Sequence, residues 1–208
     1  MRIDPAGWPF VIGAVVVAAT GAFAVHAALG IPFLVLAVLF LFFFRDPERP
    51  ITQADRAVLS PADGRVTVAG APIGREFPAG TWQQISIFLS PMDVHVNRMP
   101  VGGRVTKVRY HPGRFLPAFK PEAGDLNEYT EVWIDHGGQT IVVRQIVGIL
   151  ARRIVCRVRE GAEIKAGDRY GVMKFGSRMD VFVPTTASLR VKVNDRVVGG
   201  VTVMALLS

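Results

Sequence analysis

The sequence predicts a mainly β fold: a single sandwich-like or barrel-like β domain behind an N-terminal hydrophobic helical membrane segment. Three observations predict it. From Trp8 to Phe44 the chain carries no Asp, Glu, Lys or Arg. Beyond Thr52 it changes to short runs in which apolar and polar residues alternate, rich in β-branched side chains and punctuated by Gly and Pro. Its 208 residues suffice for one domain and an appendage, since domains run to roughly 100–200 residues.

The apolar run comes first. A single membrane-crossing helix needs about 20 apolar residues, so this stretch is too long for one, and Gly30 followed by Pro32 marks the expected break. Two pieces result, Phe10 to Leu29 and the shorter Pro32 to Phe44, which predict a helical hairpin over residues 1–50 dipping into the membrane. A cleaved signal peptide fits poorly, because its apolar region is about 7–15 residues long. His26, inside the run without an acidic neighbour, is expected at the hairpin tip. Arg45, Arg49 and Arg56 follow directly. By the positive-inside tendency they put residues 51–208 on the cytoplasmic side of the cell membrane.

The β domain is then read run by run. "RAVLSPADGRVTVAG", "WQQISIFLS", "GRVTKVRYH", "EYTEVWIDHGGQTIVVRQIVG", "RRIVCRVREG", "MDVFVP" and "LRVKVNDRVVGGVTVMAL" each alternate, as strands with one buried face do. "DHGG" is a hairpin turn. "PGRFLPAFKPEAGDLN", residues 112–127, breaks the rhythm and is predicted to be a long loop, of the length that often carries function. "GSRMD" raises a question of its own: Gly176 and Ser177 fall between a basic flank and the strand "DVFVP", where a turn is the plain expectation.

Charge narrows the partner. Lys and Arg outnumber Asp and Glu by 24 to 17, for a formal +7, which favours an anionic partner such as an acidic phospholipid. Nucleic acid fits less well, since aromatic residues are not interleaved with the basic ones and the chain has a membrane segment. Basic residues at Arg152, Arg153, Arg157 and Arg159 read as a solvated strand face useful toward anionic headgroups. The only cysteine, Cys156, has no partner for a disulfide, and the histidines are too scattered for a metal site. No metal is expected. Ser177 is not framed as a nucleophile elbow either.

Three polar islands remain: "SPADGRV" with Asp63, "FLSPMDVHVNRMP" with Asp93, His95 and Arg98, and "FGSRMD" with Gly176 and Ser177. In that order, behind an apolar N-terminus ending in "FFFRDPER" and with the loop "HPGRFLPAFKPEAGDLNE", they resemble the short-form phosphatidylserine decarboxylase proenzymes. The resemblance covers nearly the whole chain. It implies self-cleavage between Gly176 and Ser177 into a β chain, 1–176, and an α chain, 177–208, that stay associated. Ser177 becomes a covalent pyruvoyl cofactor, and phosphatidylserine is decarboxylated to phosphatidylethanolamine at a membrane surface. The resemblance further implies Asp63 orienting His95, with His95 as the proton carrier for both cleavage and turnover. Arg98 stands where the long form has a second His, which leaves the self-cleavage base open; Arg98 is expected to hold a carboxylate or the lipid phosphate. His111, Asn127 and Glu128 are expected as substrate-pocket residues. Pairing of two copies stays open.

A rival reading from another class is a membrane-tethered lipoyl-like or hybrid-motif carrier domain, because "PADGRV" and "GDRYGVMKFGS" resemble its strand-turn phrases and Met173-Lys174 its attachment pair. It leaves the long loop and "DVHVNR" unexplained. A carrier would run as one band modified at Lys174.

Overall fold

The computed structural model describes residues 2–24, 26–73, 78–149, 154–174 and 176–208. Two compact units, Met1–Glu48 and Arg49–Ser208, make up the chain. Arg152 and Arg153 lie outside the described residues.

In the first unit β1 (Arg2–Ile3) pairs antiparallel with β2 (Arg45–Asp46), closing the ends of a helical hairpin. Its arms are α1 (Trp8–Ala24) and α2 (Ile31–Phe43), joined through a 3₁₀ turn, Ala27–Gly30. Phe10 packs against Phe40 and Phe44 with ring centroids 5.4 and 5.5 Å apart, so the start of one arm lies beside the end of the other. The turn takes in Gly30, the predicted break, and α2 begins at Ile31, one residue ahead of Pro32. Pro32 sits in the first turn of α2, where its missing N–H costs nothing, so it starts a helix. His26 caps the turn, its Nδ1 accepting the Ala28 N–H at 3.2 Å. Ile12, Val16, Phe23, Val35 and Val38 are exposed on α1 and α2. Helices apolar all round suit hydrocarbon surroundings. Residues Pro5–Ala24 are long and apolar enough to cross a membrane, and Ala27–Phe43 is shorter.

The second unit is built from β3 (Ala57–Leu59), β4 (Gly64–Gly70), β5 (Trp82–Leu89), β6 (Val96–Arg98), β7 (Gly103–His111), α3 (Ala123–Leu126), β8 (Tyr129–His136), β9 (Gln139–Ile146), β10 (Ile154–Cys156), β11 (Glu163–Ile164), β12 (Arg169–Met173), β13 (Ser177–Pro184), β14 (Ser188–Leu189), β15 (Arg196–Val197) and β16 (Val203–Leu206). Among the described residues an eight-stranded sheet runs β11-β7-β8-β9-β13-β5-β4-β15, with three-stranded sheets β10-β12-β6 and β14-β16-β3. The sheets stay open, so the fold is sandwich-like and not a barrel. The β8–β9 hairpin turns at Gly137 and Gly138, whose φ values of +60° and +86° suit the tight turn the sequence predicts there.

Alternation sends Ile85, Ile87, Val132, Ile134, Val143, Met179 and Val181 to one face, where with Val58, Met173 and Met204 they form the core. The opposite face is also buried but charged. It holds Gln84, Ser86, Glu131, Arg144, Arg178 and Asp180. β13 begins at Ser177, ahead of the predicted strand "DVFVP", and is paired on both sides, with β5 and with β9. Gly176-Ser177 is thus the entry to a central strand and not an exposed turn.

Candidate active site

β12 delivers the chain to this entry. Its last residue, Met173, donates its N–H to the His95 carbonyl at 3.3 Å, so the end of β12 lies against the residue preceding β6. Gly176 follows with φ +71°, a left-handed conformation that Gly adopts at little cost. Its N–H meets Nε2 of His95 at 3.3 Å. On the other side of the ring, Nδ1 lies 2.9 Å from the Asp93 carbonyl oxygen. A carbonyl only accepts, so Nδ1 carries the proton and Nε2 is left as the acceptor facing Gly176. His95 is fully buried.

Ser177 is fully buried as well, and its Oγ has no hydrogen-bond partner. Leaving a buried hydroxyl unpaired costs on the order of 1–3 kcal/mol. A second glycine packs against the preceding carbonyl: a Cβ on Gly148 would overlap the Gly176 carbonyl oxygen and touch Ala118 at 3.4 Å. Only a bare backbone lets the Gly176 carbonyl pack here.

Other expected site residues stand elsewhere. The carboxylate of Asp63 accepts from Arg49 Nη2 at 2.7 Å and from the Gly199 N–H at 2.8 Å, tying three segments together. At Nδ1 of His95, the Asp93 backbone carbonyl orients the imidazole. Asp93 spends its own carboxylate on the Ser90 N–H, at 2.8 Å. Arg98, 5% exposed, donates Nη1 to the Gly167 carbonyl at 3.1 Å. His111 stacks on Tyr129 at 4.3 Å between ring centroids. In register it is separated from Arg178 by β8 and β9, roughly 14 Å at about 4.8 Å per strand. It does not line the Ser177 site.

Asn127 is committed to structure: Oδ1 accepts the Leu116 N–H at 2.9 Å, and Nδ2 donates to the carbonyls of Leu116 and Val147, both at 2.8 Å. Glu128 accepts the Val147 N–H on its backbone carbonyl at 3.1 Å and donates its own N–H to the Arg114 carbonyl at 3.0 Å. Together they pin the 112–127 stretch, which contains α3, to the sheet. The pinned loop lays Pro117, Ala118 and Phe119 over an apolar cavity of ≈ 330 Å³ that Phe88, Pro91, Ile149 and Gly176 complete. Phe119 and Phe88 meet edge to face at 6.1 Å.

Sequence reading missed Gly148, the Asn97–Gln145 amide pair and the charged back face. Gln145 Nε2 donates to Asn97 Oδ1 at 2.8 Å, while Asn97 Nδ2 and Gln145 Oε1 are buried without partners. A Gly directly after "RQIV" was the one available signal, since Gly beside a strand often marks a close backbone approach.

The family model for phosphatidylserine decarboxylase matches residues 36–205. A phosphatidylserine decarboxylase proenzyme of Symbiobacterium thermophilum is 45% identical over 202 residues, covering 97% of this chain and 94% of that protein. Proenzymes of the same name from Granulibacter bethesdensis and Cupriavidus taiwanensis are 44% and 40% identical, over 98% and 97% of this chain and 85% and 94% of their own lengths. With the model matching most of its length and these relatives aligned nearly end to end, the chain belongs to the phosphatidylserine decarboxylase family.

Proposed function

We propose that this chain decarboxylates phosphatidylserine to phosphatidylethanolamine, using a pyruvoyl group that it makes by cutting itself between Gly176 and Ser177. The observation that carries this is the buried, unpartnered Ser177 Oγ directly after a left-handed Gly176 whose N–H faces His95. A hydroxyl left unsatisfied at such a junction fits a group that reacts.

Cleavage needs a nucleophile, a base and an acid. Oγ of Ser177 attacks the Gly176 carbonyl carbon. His95 Nε2 takes the hydroxyl proton and returns it to the departing Ser177 nitrogen, so the peptide becomes an ester. Loss of the Ser177 α-proton then expels the Gly176 carboxylate and leaves a dehydroalanine. Water hydrolyses its enamine nitrogen as ammonia, leaving a keto group at the start of 177–208. That group supplies a sink for the electron pair left on the substrate's α-carbon when carbon dioxide departs, the part that protein side chains cannot play. The residues present fit it: Ser177 is enclosed, and β13 is held from both sides by β5 and β9. In turnover His95 carries the proton, its tautomer fixed by the Asp93 carbonyl. Asp63, Arg98, Asn127 and Glu128 serve as scaffold.

A membrane lipid must bring its headgroup to Gly176-Ser177 while its acyl chains stay out of water. The apolar cavity ending at Gly176 offers them that place. Phe119 and Ile149, which line it, are exposed. The apolar N-terminal unit anchors the protein in the cell membrane, with the β domain on the cytoplasmic side.

Intact-mass measurement tests the proposal. Purified wild type should give two chains, 1–176 and 177–208, the latter without a free amine, and Ser177→Ala should give one chain and no product. An unbroken wild type that still converts the lipid overturns it.

A further inference from the structure

Making the keto group removes one of its two covalent tethers. Before cleavage residue 177 is held through both Gly176 and Arg178; afterwards only Arg178 holds it. The question is what holds Arg178.

Its backbone lies between Phe88 of β5 and Ile146 of β9, and alternation turns its side chain to the face opposite Ser177. There it is 4% exposed. Nε donates to Asp180 Oδ1 at 2.6 Å and Nη2 to Asp180 Oδ2 at 2.9 Å, a two-pronged grip on one carboxylate. Nη2 also reaches Ser86 Oγ of β5 at 3.1 Å. Gln84 Nε2 closes the ring, donating to Asp180 Oδ2 at 3.1 Å and to Ser86 Oγ at 2.9 Å. Above the guanidinium sits Gly124 of α3, so near that a Cβ there would touch Nη2 at 3.3 Å and Cζ at 3.5 Å. One side chain therefore joins the residue next to the reacting group, the neighbouring strand and the loop that covers the cavity.

Stability alone accounts poorly for this arrangement, because a buried ion pair recovers little more than its own desolvation. A fixed geometry accounts for it better. We propose that Arg178 is the positioning residue for the prosthetic group: its fork on Asp180 and Ser86 locks the new N-terminus in register, so that the keto carbon stays where the uncut chain put it. The inference rests on the self-cleavage reading above.

The test uses the full chain in detergent micelles containing phosphatidylserine. Arg178→Lys keeps the charge and loses the fork; Arg178→Met loses both. Both should still reach two chains by intact mass, since the uncut strand is tethered at each end. In the cut protein kcat should fall about 10-fold for Lys and about 100-fold for Met, with KM within about two-fold, because misplacement by about 1 Å can cost 10²-fold. Amide exchange at residues 178–180 should rise at least about 10-fold in the cut variants and stay near wild type when the same change is made in uncut Ser177→Ala. An Arg178→Lys protein with wild-type kcat overturns the inference, as does an equal rise in exchange in both backgrounds. Should Arg178→Met not fold, Arg178→Lys decides alone. A wild type that never cuts defeats the self-cleavage reading; a wild type that cuts beside an unaffected Arg178→Lys defeats only this one.

Discussion

On the core face of the large sheet Ser177 keeps its hydroxyl oxygen without a partner, whereas on the back face, one residue later, Arg178 places three donor contacts on Asp180 and Ser86. Both side chains are buried. Their environments differ because their tasks differ: an unsatisfied polar atom stores free energy and is poised to change partner, while a saturated one fixes its surroundings. The same contrast separates His95, whose Nε2 meets the Gly176 N–H, from Arg144, which bonds Glu131 at 2.6 Å and lies over the rings of Tyr129 and Phe182.

That contrast can be broken from either side. The largest effect is expected on the reactive face: His95→Gln keeps the size and removes the base, and should slow self-cleavage by about 10²–10⁴-fold, read as the time course of the two chains by mass spectrometry. On the saturated face Arg144→Leu leaves Glu131 buried and unpaired and should cost about 3–5 kcal/mol in denaturant unfolding, while any folded protein still cuts. Gly148→Ala sharpens the boundary between them. Its Cβ would press on the scissile carbonyl, so it should destabilise by about 1–3 kcal/mol and slow cleavage more than it slows turnover in material already cut. Cys156 provides the smallest effect: burial pushes its thiol up from the ordinary value. At neutral pH its thiolate is scarce, so iodoacetamide should label the folded protein at least about 10-fold more slowly than the unfolded one.

Much of this was readable from residues alone, for identifiable reasons. Period-2 alternation sets the face of each residue, so β7, the β8–β9 hairpin and the core positions on β5 and β9 followed directly. The apolar N-terminal run declared itself by the absence of charge. The start of β13 stayed hidden because "GSR" is polar and small, and what makes it strand is pairing with β5 and β9, distant in sequence. Partner choice was hidden for the same reason. "PADG" and "DVHV" advertise Asp63 and His95, but alternation cannot say that Asp63 turns to Arg49 and Gly199 while a backbone carbonyl orients the imidazole. Nothing local in "SRMD" announces that Arg178 forks onto Asp180 on a buried face with Gly124 lying across its guanidinium.

β13 is the middle plank of the sheet and not its border, and this has a consequence for the life of the molecule. The short piece that the proposed cut would release is clamped along two ladders and could not drift away without dismantling the body. Once melted, the two pieces would have to find one another as separate molecules. Processing is thus a one-way step that only freshly made chains can take, and heat-inactivated mature protein should not regain its activity on cooling.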